Sequence, residues 1–159
     1  MDFTHFDENG NARMVDVSEK SDTERIAVAK GAISVSRDVF DAVRSGKIAK
    51  GDVLTVATTA GIMGLKNTSS VIPMCHIIPL THAGIQWELE EKDGSCEILC
   101  TCTVKCTGKT GVEMESLTAV SVAALTIYDM CKAVQRDIRI SDIQLEYKAG
   151  GKSGEYKRG

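Results

Sequence analysis

The sequence predicts an α+β fold, with helices packed on one face of an antiparallel sheet. Three observations carry that reading. Two alternating stretches flank the turn signal Lys92-Asp93-Gly94. A long helical run follows the second of them. One more β-rich stretch lies before this unit, near residue 30, and another after it, near residue 140.

The elements follow in order. Residues 25–36 (RIAVAKGAISVS) are rich in Val, Ile and Ala and roughly alternate, which predicts a strand in which Gly31 marks a bulge. Residues 37–44 (RDVFDAVR) read as a short helix stopped by Ser45-Gly46. A second helix starts at Asp52, whose carboxylate suits the helix dipole, and shows Val53, Val56, Ala57, Ala60 and Met63 at helical spacing. Residues 66–79 break every period. The chain's two prolines, Pro73 and Pro79, bracket Met74-Cys75-His76 there, which predicts a stiff, shaped loop of the kind that often carries function.

Ile85, Trp87 and Leu89 then alternate with Gln86, Glu88 and Glu90 as a half-buried strand. After the turn, Cys96, Ile98, Cys100, Cys102, Val104 and Cys106 share one face of its partner. Gly108-Lys109-Thr110-Gly111 leads into a helix over 112–135, and a strand over 138–147 follows. With the two early helices taken as one layer, the order is βαββαβ, the ferredoxin-like arrangement. The 159 residues suit a single domain, with loosely held ends at 1–13 and at 149–159, where glycine and lysine dominate.

Composition narrows the function. The net charge of −3 argues against a general nucleic-acid binder, and no run approaches the length of a membrane span. The opening residues are polar and acidic, unlike a signal peptide, and six cysteines are too few for a disulfide scaffold. The expectation is a cytoplasmic protein in a reducing compartment. Four of those cysteines lie along one strand face at about 3.3 Å per residue, so they cannot converge on a metal ion. They read as small buried hydrophobes, and no metal site is predicted.

Neither Gly108-Lys109-Thr110 nor Gly151-Lys152-Ser153 is a P-loop, because Thr103 and Glu146 stand where that motif needs a glycine. The first segment suits either an anion at a helix start or an ordinary glycine turn. The long helix carries only Asp129 and Lys132 as charges between 116 and 133. It is apolar nearly all round, which predicts cover from a second subunit and hence a homo-oligomer. Asp129 and Lys132 neighbour each other on one helix face, and spacing alone favours a surface ion pair. Glu113 and Glu115 stand in the first turn, where glutamates commonly serve the dipole. His76 is a better acid–base candidate than His5 or His82, and a nucleophilic Cys75–His76 pair is disfavoured because adjacent side chains diverge. Lys50, Lys66, Lys109, Lys132, Lys148 and Lys152 lie at helix ends or in glycine-containing loops. Brought together, they would form a basic pocket for a small polyanion such as a nucleotide triphosphate.

Several segments together resemble one family: Met14-Val15-Asp16-Val17-Ser18, Lys50-Gly51-Asp52-Val53, Ala60-Gly61-Ile62, Ile72-Pro73-Met74-Cys75-His76, Gly150-Gly151-Lys152-Ser153-Gly154, and above all TGKTGVEMESLTAVSVAALTIYDMCKAVQ over 107–135. The resemblance is to the molybdenum cofactor biosynthesis protein C (MoaC) family, the cyclic pyranopterin monophosphate synthases, and it spans about 4–156. It implies a lyase that converts 3′,8-cyclo-7,8-dihydroguanosine triphosphate into cyclic pyranopterin monophosphate and diphosphate. It also implies a ferredoxin-like fold assembled as a homohexamer, a trimer of dimers, with active sites at a subunit interface.

By position, the resemblance makes Asp129, Lys132, His76 and Lys50 catalytic. It assigns substrate contacts to Met74, Cys75, His76, Glu113, Met114, Glu115 and Lys148, with Arg25 and Lys66 facing phosphates. No cofactor is required, although Mg²⁺ could sit on the substrate phosphates. One departure stands out: Ile77 and Ile78 separate His76 from Pro79, where the family usually has proline directly after the histidine. The competing reading is a non-catalytic oligomeric module that binds a nucleotide as ligand or sensor.

Overall fold

The structure, a computed structural model, describes residues 5–46 and 52–159. The order is β1 (Thr23–Val35), α1 (Arg37–Ser45), α2 (Val53–Lys66), α3 (Thr68–Val71), β2 (Leu80–Lys92), β3 (Ser95–Gly108), α4 (Glu113–Cys131), β4 (Arg139–Ala149) and β5 (Tyr156–Lys157). The strands form one sheet in the order β2-β3-β1-β4-β5, with every pairing antiparallel. Its first four strands reproduce the ferredoxin-like order.

The two-residue periodicity of the strands decides which face is dry. On β1, Ala27, Ala29, Ile33 and Val35 are buried; on β3 the buried set is Cys96, Ile98, Cys100, Cys102, Val104 and Cys106. All of these belong to the core shared with α1, α2 and α4. On the other face Lys30, Gln86, Glu88 and Glu90 are exposed. The cysteines are thus core residues, as their spacing predicts, and burial pushes the Cys100 and Cys102 thiols up to about 12. Asp93 and Gly94 both take positive φ, the backbone that a two-residue hairpin turn needs. The expected bulge at Gly31 is present as a register shift in the β1–β4 pairing between Lys30 and Ala32.

Small residues set how closely the layers approach. A Cβ on Gly31 would lie 2.6 Å from Val120 Cγ1, so α4 rests directly on β1. A Cβ on Gly61 would lie 2.5 Å from Ile85 Cδ1 and 3.0 Å from the Ala119 carbonyl oxygen. That close approach explains a difference from the sequence pattern of α2. Its buried stripe is Val53, Ala57, Gly61 and Leu65, which leaves Val56 and Met63 exposed. Asp52 caps this helix by accepting from the Leu54 and Thr55 amides at 3.0 and 3.2 Å.

Three further differences are local. The stretch expected to be loop throughout 66–79 contains the single turn α3, held by Thr68 Oγ1 donating to the Leu65 carbonyl at 2.9 Å. The final helix ends at Cys131, so Lys132 is its C-cap and residues 132–134 are turn. The glycine-rich tail, expected to be loosely held, turns back as β5 against β4. Arg158 secures it by donating from Nε to the Leu145 carbonyl at 2.9 Å.

Candidate functional site

The antiparallel register gathers separate segments at one end of the sheet. Thr23 pairs with Gly108 and Ile26 with Ala149, which places the start of β1 beside the ends of β3 and β4. The Gly108–Gly111 turn and the Gly150-Gly151 tail are therefore neighbours in space. The arm before β1 lies against them, and Lys109 Nζ donates to the Ser18 carbonyl at 2.9 Å. The proline-bracketed loop approaches from the α3 side.

Three cavities follow this junction and share lining residues. The largest pair measure about 620 and 660 Å³, with a third of about 230 Å³ connecting them. Lys20 borders all three, and Thr110, Gly111 and Glu113 border two. They form one continuous groove with two chemically different halves. One half has Arg25, Lys109, Lys148 and Lys152 with Ser153 and the glycine backbone. The other has Met74, Cys75, His76, Met114 and Glu115, closed by Val15, Val17 and Ile72.

Charge within the groove is organised around the start of α4. A Cβ on Gly111 would lie 1.9 Å from Glu113 Oε2, so only glycine lets that carboxylate fold back over the helix start. Glu113 then accepts from Lys148 Nζ at 2.7 Å, with both side chains mostly buried, and Lys148 Nζ also reaches Ser153 Oγ at 3.2 Å. Glu113 is therefore the lysine's partner as well as a helix-terminus acid. Glu115 is only 4% exposed. Burial pushes its carboxyl up to about 6, assisted by the Glu113 charge and opposed by the residue's own backbone N–H. The Cys75 thiol is also raised, first by burial and then by Glu115, which disfavours a thiolate nucleophile.

The sequence candidates divide accordingly. Arg25, Met74, Cys75, His76, Glu113, Met114, Glu115 and Lys148 all line the groove. Asp129 and Lys132 do not. They pair at 2.6 Å on an exposed surface at the far end of α4, roughly 24 Å from Glu113 at about 1.5 Å per helical residue. Hydrogen bonding to Asp129, with its charge, raises the Lys132 ammonium's pKa. Lys66 ends α2, exposed and away from the groove lining. Lys50 lies outside the described residues. No cluster of three or more His, Cys, Asp or Glu suited to a metal ion occurs among the described residues.

Sequence reasoning missed Lys20 and Ser153. Lys20 belongs to the polar arm before β1, and nothing local reveals that the arm crosses the groove. Ser153 lies in the segment 150–154 that carries the family resemblance, but nothing in the sequence gives its hydroxyl a role.

The sequence model of the MoaC family matches residues 14–151. This chain belongs to the MoaC family. The match takes in every residue lining the groove except His5, Lys152 and Ser153. Relatives agree over nearly their full lengths. A cyclic pyranopterin monophosphate synthase of Heliobacterium modesticaldum is 60% identical over 155 residues, covering 98% of this chain and 96% of its own. Another of that name, from Desulfitobacterium hafniense, is 58% identical over 158 residues, covering 99% and 95%. A third, from Peptoclostridium acidaminophilum, is 54% identical over 158 residues, covering 99% and 98%. Within the matched residues, 109–111, 113–115 and Gly150-Gly151 line the groove in this chain.

Proposed function

We propose that this MoaC-family chain is a phosphorus–oxygen lyase of molybdenum cofactor biosynthesis. It converts 3′,8-cyclo-7,8-dihydroguanosine triphosphate into cyclic pyranopterin monophosphate and releases diphosphate. The observation that carries this reading is the two-part groove, whose cationic glycine-walled half adjoins a half bearing His76 and the buried Glu115. The names of the relatives supply the product, cyclic pyranopterin monophosphate, and the substrate is the one that the family resemblance implies.

The chemistry matches the parts. A triphosphate needs cations and backbone N–H groups, which Arg25, Lys148, Lys20 and the Gly108–Gly111 turn provide. Ring opening, ring closure and formation of a cyclic phosphate are bond exchanges driven by proton transfer, with no net oxidation. His76 and Glu115 border the half where the base portion would lie, and Asp129 and Lys132 complete the acid–base set. Mg²⁺ is compatible with the phosphates as a counter-ion and is not required by any carboxylate set described here.

Because Asp129 and Lys132 lie roughly 24 Å along α4 from the groove, a second copy of the chain supplies them. Each site then forms between subunits, in a homohexamer built as a trimer of dimers. Exposed Val56, Met63 and Leu125 on α2 and α4 give such an assembly apolar surface to bury. Six free thiols suit a cytoplasmic, reducing setting.

The test is an assay with freshly made cyclised GTP in which pterin and diphosphate are both followed. Wild type is expected to form both products, and Lys132→Ala to lose roughly 10²–10⁴-fold in turnover. Binding without turnover in the wild-type protein would instead support a nucleotide-binding module.

A further inference from the structure

Arg25 leaves β1 at the cationic half of the groove, and two contacts hold its guanidinium. Nε donates to the Gly108 carbonyl at 2.9 Å, which anchors one edge. The tail then crosses its Nη end. A Cβ on Gly151 would lie 2.2 Å from Nη1, 2.8 Å from Cζ and 2.9 Å from Nη2, a distance at which a hydrogen fits and a methyl group does not. Gly150 makes the crossing possible, because a Cβ there would meet the Glu24 carbonyl oxygen at 2.2 Å. Both glycines adopt left-handed φ, +104° and +73°. Nε is the one nitrogen of Arg25 that finds an acceptor among the described residues. Arg25 lines two of the cavities of the groove.

We propose that Gly151 is a positioning residue for the bound triphosphate: it seats the Arg25 guanidinium so that its Nη fork faces a phosphate oxygen. The inference rests on the phosphate reading of the groove given above. A guanidinium binds phosphate best as a planar fork, and that advantage over a lysine exists only while the plane is held. The Gly108 carbonyl fixes the Nε edge but leaves the plane free to swing about it. The Gly151 backbone removes that freedom before any ligand arrives.

The test uses inorganic tripolyphosphate as the probe in titration calorimetry on the full-length protein. Gly154 provides the control, since it has a similar φ of +67° with nothing within 4 Å of its Cβ position. Gly154→Ala therefore shares the backbone strain of Gly151→Ala without touching the guanidinium. Gly151→Ala is expected to weaken binding roughly tenfold, the size of one charge-assisted hydrogen bond, while Gly154→Ala stays within about twofold. Arg25→Lys, which keeps the charge and loses the fork, is expected to lose a similar factor. Adding Gly151→Ala to Arg25→Lys should then cost little more, since the group being seated is gone.

Wild-type affinity in Gly151→Ala, equal losses in the two alanine variants, or full additivity with Arg25→Lys would each overturn the seat. Should Gly151→Ala fail to fold, Arg25→Lys decides alone: undiminished binding would show that the fork is not used. If wild-type protein bound no tripolyphosphate, the phosphate reading of the groove would fall and the seat with it. Binding by wild type and Gly151→Ala alike would remove the seat only.

Discussion

Glu115 is a buried carboxyl lining a groove for which proton transfer is proposed. With its pKa pushed up to about 6 by burial, it is held close to the range where gaining and losing a proton are comparably easy. The same shift bears on stability. A carboxyl whose folded pKa lies above its unfolded value contributes most below the unfolded pKa, and that contribution falls as pH rises through the folded one. Wild-type protein should therefore lose stability from this group between about pH 4.5 and about pH 6. Glu115→Gln, which cannot ionise, is expected to match wild type at pH 4 and to exceed it by about 2 kcal/mol at pH 7.5. Denaturant titrations at the two pH values check this, and parallel behaviour of the two proteins would sink it. On the proposed acid–base reading, turnover of the variant should fall as well.

Among the elements, α4 ties the core to the groove. Its first turn carries Glu113, Met114 and Glu115, and its middle rests on β1 through Val120. Gly31 makes that contact possible. Val120 is β-branched, fully buried and confined to few rotamers in a helix, so it cannot swing away from a new Cβ. Gly31→Ala is expected to destabilise the protein by about 1–3 kcal/mol through overpacking, despite the smaller entropy that alanine loses on folding. A measured gain in stability would show that α4 can lift off the sheet without cost. The capped start of α2 gives a smaller effect. Asp52→Ala should cost about 1 kcal/mol, whereas Asp52→Asn should cost much less because asparagine still accepts from the Leu54 and Thr55 amides. Both are read from denaturation midpoints.

At the scale of the whole molecule, the length of α4 separates the two sets of residues that the proposed reaction draws on. The groove lies at its N-terminal end and the Asp129–Lys132 pair at the other, so sharing between copies is the economical arrangement. The consequence is complementation. Asp129→Asn and Glu113→Gln should each be nearly inactive, one spoiling the remote pair and the other the groove. Mixed subunits of the two variants, co-expressed in equal amounts, should recover roughly a quarter of wild-type activity, because half the dimers are mixed and each holds one intact site. No recovery, with mixed oligomers verified by mass, would place groove and pair in separate roles.

Much of the architecture was legible in residue order because it rests on local periodicity. The hairpin around Asp93-Gly94, the one-sided cysteines of β3 and the bulge at Gly31 follow from alternation and from which residues tolerate positive φ or close approach. The MoaC resemblance likewise pointed to Arg25, His76, Glu113, Glu115 and Lys148, all of which line the groove. Other features depended on contacts between distant segments, which periodicity cannot encode. The buried stripe of α2 runs through Gly61 and not Met63, because a glycine admits α4 and a methionine would hold it off. Lys20 belongs to the groove only because the arm crosses it, and Gly151 meets Arg25 only because β1 and β4 are paired in that register. Sequence alone determined the strand and helix alternation and the chemical types available, since both are set within a few residues. Tertiary structure decided which of those groups share a cavity and which stand roughly 24 Å away along one rigid helix, since only packing brings remote segments together.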